Sequence, residues 1–125
     1  MREIFDKLAF MLTGLIHLLP FAGVSGAARL EALYGVSLEG EPALTLLMQH
    51  RALFFGIIGL LTIIAVWRPA LRPTARLVAL ASMLGFVALY LIAGLDTAPL
   101  AKVYWADLVA SMLLLATYAP PRARA

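Results

Sequence analysis

Ala52-Leu-Phe-Phe-Gly-Ile-Ile-Gly-Leu-Leu-Thr-Ile-Ile-Ala-Val-Trp67 runs without a charge into Arg68-Pro69-Ala70-Leu71-Arg72-Pro73. As a helix, the uncharged stretch is roughly 24 Å long at 1.5 Å per residue. A bilayer core is about 30 Å thick, so the span must begin upstream, near Leu44, with Leu46, Leu47 and Met48 supplying the missing length. The run shows no alternation and is too long for a buried strand. The proline- and arginine-rich hexapeptide after it stops one helix and starts another. Three further apolar stretches lie outward from this one, at 8–24, 77–95 and 103–119. Each is close to the ~20 residues that cross a membrane. The expected fold is all-α: an integral membrane four-helix bundle with spans at 8–24, 44–67, 77–95 and 103–119. Residues 1–125 would form a single transmembrane domain.

Composition agrees. Hydrophobic residues make up 63% of the 125 and charged residues 14%, against roughly 45–50% and 25% in soluble proteins. Mean hydropathy is +0.95. A chain this short cannot enclose so much apolar surface, so the excess faces lipid or partners. The absence of cysteine excludes disulfide scaffolds, thiolate metal sites and thiol redox chemistry in this chain. No metal site is expected from its two histidines, His17 and His50, which are far apart in sequence. The net charge of +3 is not gathered into a basic stripe on a soluble fold, so no nucleic-acid partner is expected. Alternating segments of a transmembrane barrel are missing as well.

The breaks carry helix-end chemistry. Glu41-Pro42 reads as a helix start with proline in the first turn, and Thr74 as a cap for the third span. Gly94 to Pro99 forms the third break, with Asp96 and Thr97 as turn or capping residues, and Pro120-Pro121 ends the fourth span. Arg2, Lys7, Arg68, Arg72, Arg76, Arg122 and Arg124 fall on one side of a four-span topology, and only Arg29, Arg51 and Lys102 on the other. That asymmetry places both termini in the cytoplasm. The expected location is the cell's inner (plasma) membrane, as a multi-pass protein. Met1 to Ala27 also resembles a signal peptide ending in Ser25-Gly26-Ala27. Glu3 and Asp6 acidify its leading region and His17 interrupts its apolar run, so a retained helix is expected.

Between the first two spans, Ala27 to Tyr34 reads as a short interfacial helix in the first extracytoplasmic loop. Leu30, Leu33 and Tyr34 would face the bilayer and Arg29 and Glu31 the water; Gly35 would stop it. The plainer reading is a linker lying on the membrane.

Extending the second span upstream sinks Gln49, His50 and Arg51 below the outer interface, where an ionisable residue is costly and seeks a partner. Asp107 lies roughly 18 Å up from Ala119, Arg51 roughly 24 Å up from Trp67, and His17 roughly 15 Å up from Lys7. An arginine side chain can bridge the offset to Asp107. Tyr104, Asp107, Ser111 and Tyr118 fall near one stripe of the fourth span, and Thr13 shares a face with His17. The candidate binding residues are therefore His17, His50, Arg51, Tyr104, Asp107 and Ser111, in an outer-half polar pocket. No catalytic group can be assigned. Each has a plainer reading. Arg51 and Asp107 make a structural interhelical pair, and His17 a packed, hydrogen-bonded core residue. Tyr104, Trp105, Trp67 and Tyr118 are belt anchors. Arg68, Arg72 and Arg76 set topology and then touch headgroups. Ala52/Gly56 and Ala81/Gly85 let helices approach and offer a weak dimer signal.

Arg29-Leu-Glu-Ala-Leu-Tyr-Gly-Val36, followed by Gln49-His-Arg-Ala52 at the opening of the second span, resembles the DoxX-like small four-helix membrane proteins. The likeness is to their uncharacterised branch, with a Leu-Tyr-Gly loop before an Arg-Ala helix start. The resemblance implies a four-helix membrane fold and, in the wider group, membrane subunits of quinone-linked sulfur oxidation or redox-stress complexes. Some similar proteins carry the label phosphopantetheine adenylyltransferase. This chain lacks that enzyme's His-x-Gly-His or glycine-rich phosphate site, a Walker loop and a dinucleotide fingerprint, so the label is a misnomer here.

Three functions follow as expectations. The first is a non-enzymatic module that binds a lipid, a quinone or a partner membrane subunit in the pocket. The second is a membrane enzyme on a lipid-soluble substrate, with His17 or Asp107 moving a proton. The third is a small transporter working as a homodimer. No cofactor is identifiable from the residues; quinone or lipid fits the pocket, and membrane lipids are the expected surroundings.

Overall fold

The computed structural model describes residues 1–94 and 98–118. All regular structure among them is helical. Helix α1 spans Arg2–Leu18 and passes into a 3₁₀ segment, Leu19–Ser25. Helix α2 is Ala27–Tyr34 and α3 is Pro42–Trp67. A 3₁₀ turn, Pro69–Leu71, leads into α4, Arg72–Ala93; α5 is Ala98–Ala116. Three stretches are long and apolar enough to cross a membrane: Arg2–Ser25, Pro42–Trp67 and Pro69–Ala93. Large apolar side chains such as Leu60, Leu77, Leu91 and Ile92 point outward along them, as lipid-facing positions do.

The boundaries differ from the hydropathy reading in ways that backbone chemistry explains. The first helix begins at Arg2, ahead of the apolar run at residue 8, and its first turns carry i,i+4 charge pairs: Arg2 Nε is 3.3 Å from Asp6 and Lys7 3.8 Å from Glu3. Its α-geometry stops at Leu18 because Pro20 brings no amide hydrogen to the next turn, and the chain tightens into 3₁₀ form. The second span does begin at Pro42 with Glu41 as cap residue. The third begins at Arg72, with Leu71 as its cap and no side-chain cap bond. Thr74 is therefore inside the first turn rather than capping it. The fourth long helix starts at Ala98, ahead of residue 103. Gly35 and Gly94 end α2 and α4 in the left-handed conformation, at φ 62° and 61°, where glycine carries no Cβ penalty. Asp96, Thr97, Pro120, Pro121, Arg122 and Arg124 lie outside the described residues.

Four long helices pack in a ring, α1 against α3, α3 against α4, α4 against α5 and α5 against α1. Their shared core is Phe10, Ala65, Val66, Ala75, Ala79, Leu80, Met83, Ala110 and Leu114. Small residues set the spacing. At the α1–α3 crossing, a Cβ on Gly59 would stand 2.9 Å from the Gly14 carbonyl oxygen, and one on Gly14 3.1 Å from the Gly59 carbonyl oxygen. Gly56 lies under the Phe21 ring and Ala52 is buried. The Ala52/Gly56 pair is thus consumed inside the chain, not offered to a second copy. Gly85 is open, with nothing within 4 Å of a Cβ built there.

The helix ends carrying residue 2 and residue 116 are tied by arginines. Arg72, 8% exposed, grips both Glu3 carboxylate oxygens at 2.7 and 3.0 Å. It also donates to the carbonyls of Ala65 and Val66, at 3.2 and 3.1 Å. Those carbonyls belong to the last turn of α3, where no intrahelical donor remains and cations are favoured. Arg76 donates to Thr117 Oγ1 at 2.8 Å and lies over the Phe10 and Tyr118 rings. Arg2 reaches the Thr117 carbonyl at 2.7 Å. Arg72 and Arg76 are therefore interhelical clamps, and Tyr118 is a clamp member.

Two substitutions test this packing in thermal unfolding of the detergent-solubilised protein. Gly59→Leu drives a side chain into backbone and is expected to cost about 1–3 kcal/mol, whereas Gly85→Leu leaves the midpoint unchanged or raised. Arg72→Leu is expected to lower the midpoint well below that of Arg68→Leu, because Arg68 is exposed and Arg72 joins three elements. Equal effects of the two arginine changes would remove the clamp.

Candidate functional site: a cavity between the 3₁₀ segment, α2 and α5

The far end of the assembly is built differently. Helix α2 folds over it and packs on the 3₁₀ segment, α3 and α5. Leu30, Tyr34 and Leu38 are buried against Met48, Leu100 and Val103. The apolar face of α2 thus meets protein rather than the bilayer. Glu31 fixes the return of the chain by accepting the Leu38 amide at 2.6 Å. Gln49 Nε2 donates to the Val24 carbonyl at 3.0 Å, joining α3 to the end of the 3₁₀ segment.

Beneath α2 lies a cavity of about 210 Å³. Its apolar walls include Ile16, Leu19, Pro20, Leu33, Phe55 and Val103, and its polar groups are His17, Tyr34, Lys102 and Asp107. Pro20 of the 3₁₀ segment and Leu33 and Tyr34 of α2 wall the space above His17. His17 is 2% exposed. Its Nδ1 lies 2.9 Å from the Thr13 carbonyl, which can only accept, so this nitrogen carries the proton. In the neutral ring Nε2 is then an acceptor, and Ser82 Oγ stands 3.4 Å from it. Phe55 meets the imidazole edge-on, with centroids 5.8 Å apart. Burial pushes the Tyr34 phenol above its ordinary pKa; Arg51 opposes the shift and Asp107 reinforces it. That hydroxyl keeps its proton at physiological pH.

Asp107 is 8% exposed and lines the cavity. Among the described residues no ion pair includes it or Arg51 within 4.0 Å. The direct bridge expected between them is not formed. Arg51 instead lies among three aromatic rings, 4.7 Å from the Phe55 centroid and 5.5 Å from those of Tyr34 and Phe86. Phe55 stands between: it lines the cavity on one side and, with Arg51, a groove between α3 and α4 on the other.

The remaining sequence candidates scatter. His50 is exposed and packs edge-on to Phe54 at 4.8 Å, away from the cavity, because it is on the opposite side of α3 from Ala52 and Gly56. Tyr104 stacks on Tyr90 at 5.0 Å and touches Trp105; it joins α5 to α4 and does not line the cavity. Ser111 is 1% exposed one turn below Asp107. Its hydroxyl, like that of Thr13 one turn below His17, is buried with no hydrogen-bond partner among the described residues.

The cavity thus brings together His17 and Asp107, flanked by Arg51. Tyr34, Lys102, Phe55 and Pro20 complete it, and helical spacing along single spans did not select them. Tyr34 had a signal in the Tyr-Gly stop of α2, and Pro20 in its break of α1. Among the described residues no cluster of metal-ligating side chains forms. No protein-family model, curated protein or solved structure matches the chain, so the reading of this site rests on its own geometry.

Proposed function

We propose that this is a multi-pass protein of the cell's inner membrane that binds the head of a lipid-soluble molecule, a lipid or an isoprenoid quinone, in the cavity under α2. In this reading α5 is the fourth span. Trp105, Val109, Met112 and Leu115 point outward along it, as lipid-facing residues would, and its length is 19 residues. Both termini are then cytoplasmic and α2 lies on the outer face, consistent with the basic residues gathered at the other end. The resemblance to DoxX-like proteins belongs to the same proposal.

One observation carries it: apolar walls converge on the Asp107 carboxylate and the His17 imidazole, with Lys102 lining the same cavity, and among the described residues neither group is in an ion pair within 4.0 Å. A buried carboxylate without a donor is costly, and a ligand hydroxyl or amide would relieve that cost. The size fits a head rather than a whole amphiphile. Engineered apolar cavities of roughly 150 Å³ take up benzene, so 210 Å³ holds one substituted ring or a glycerol-sized head, its tail remaining in the bilayer. The plain groups available favour binding over chemistry: His17 already spends its donor on Thr13.

Mass spectrometry of small molecules retained by the gently extracted protein tests the proposal. The parent protein is expected to retain a stoichiometric quinone or lipid. Asp107→Asn should reduce retention about tenfold, the loss of one charge-assisted hydrogen bond, and Ala106→Phe, whose ring would occupy the cavity that Ala106 lines, should reduce it by exclusion. A parent protein that retains nothing and binds no added quinone would sink the idea.

A further inference from the structure

On the other side of Phe55, a groove between α3 and α4 is lined by Arg51, Phe54, Ile58, Ser82, Gly85 and Leu89, with a volume of about 320 Å³. Its position is defined by two features. At one end is the Arg51 guanidinium; at Gly85 the wall has no side chain, and nothing stands within 4 Å of where one would be. From Arg51, α3 runs roughly 10 Å to Ile58, and α4 rises alongside from Ser82 to Leu89. The groove therefore has a cationic head toward the α2 side and an apolar body extending toward the middle of the span.

Arg51 is half-buried, unlike the exposed Arg29 and Arg68, and differs from the arginines of the clamp. Arg2, Arg72 and Arg76 each have oxygen acceptors. Arg51 has three ring faces around it but no hydrogen bond or ion pair to any described residue. Ring faces attract the charge yet do not accept the in-plane N–H donors of a guanidinium, whose fork suits a phosphate or carboxylate. A positive group at the head of an apolar channel open to lipid is complementary to an amphiphile of opposite charge.

We propose that this groove binds an anionic phospholipid, with its phosphate on Arg51, level with Leu89, and one acyl chain running past Gly85 toward Ile58. This site is separate from the cavity under α2 and does not depend on what that cavity holds. The lipid supplies the acceptors that Arg51 lacks, and the absent side chain at Gly85 leaves room for the chain.

Native mass spectrometry of the full-length protein in detergent, titrated with phosphatidylglycerol or with phosphatidylcholine of the same acyl chains, tests it. One phosphatidylglycerol is expected to bind at least tenfold more tightly than phosphatidylcholine, and Arg51→Gln should abolish that preference. Gly85→Leu, at a position where a side chain meets no obstacle, should fold normally and weaken phosphatidylglycerol binding about tenfold. Equal affinity for the two lipids, or tighter binding of oleate than of phosphatidylglycerol, overturns the proposal. If Arg51→Gln does not fold, Gly85→Leu decides alone: unchanged affinity for phosphatidylglycerol in that variant overturns the proposal, and weakened affinity supports it.

Discussion

Apolar side chains gain little by leaving lipid for protein, so helices in a bilayer associate through close contact and polar bonds. In this chain the contact that organises the rest is the crossing of α1 and α3 at Gly14 and Gly59. Two backbones meet there with no side chain between them, each carbonyl within about 3 Å of where the other glycine's Cβ would be. That approach decides what stands one turn higher. It brings His17 against Phe55 and lays Phe21 over Gly56. The 3₁₀ segment that contains Pro20 stays packed on α3, and the cavity lies beside it, roofed by α2.

The two ends of the molecule treat charge in opposite ways. At the end of Arg2 and Thr117, charged side chains meet oxygen acceptors: Arg72 alone engages a carboxylate and two carbonyls. This network closes the ring of helices where α3 would otherwise leave its last carbonyls bare. At the α2 end, Asp107 and Arg51 have no ionic partner among the described residues. Between the ends, the buried hydroxyls of Thr13 and Ser111 have no hydrogen-bond partner among them, and at the clamp end the same holds of Asp6 Oδ1. Function is therefore sought at the end where polar groups remain available.

Hydropathy alone located the helical stretches, because backbone amides in lipid have few ways to be satisfied other than a helix. It missed their true starts where charged residues, such as Glu3 paired with Arg72, belong to a helix ahead of its apolar run. Local turn chemistry was legible too: the Tyr34-Gly35 stop and the Glu41-Pro42 start are where the residues place them. What depth counting along single helices could not resolve was rotation. His50 and Arg51 are neighbours in sequence at nearly equal depth, yet one turns outward to Phe54 and the other into an aromatic box. Tyr104 and Asp107 share a stripe on paper, yet Tyr90 captures the first and the cavity the second. Which partner a side chain finds depends on the neighbouring helix, and that pairing is not written along one span.

The unmade bond between Arg51 and Asp107 is the most informative of these differences. A direct pair would have neutralised both groups and filled the interior with a closed salt bridge, which breaks only at a high cost. Phe55 lines the cavity with Asp107 and stands 4.7 Å from the Arg51 guanidinium. An acidic group is left facing one compartment and a basic group facing another, within the same third of the molecule. Asp107 and Lys102 line the one compartment and Arg51 the other, and His17 Nε2 is turned toward Ser82 at the wall of the second. One phenylalanine, next to the glycine crossing, thus lines both compartments where a direct ion pair was expected.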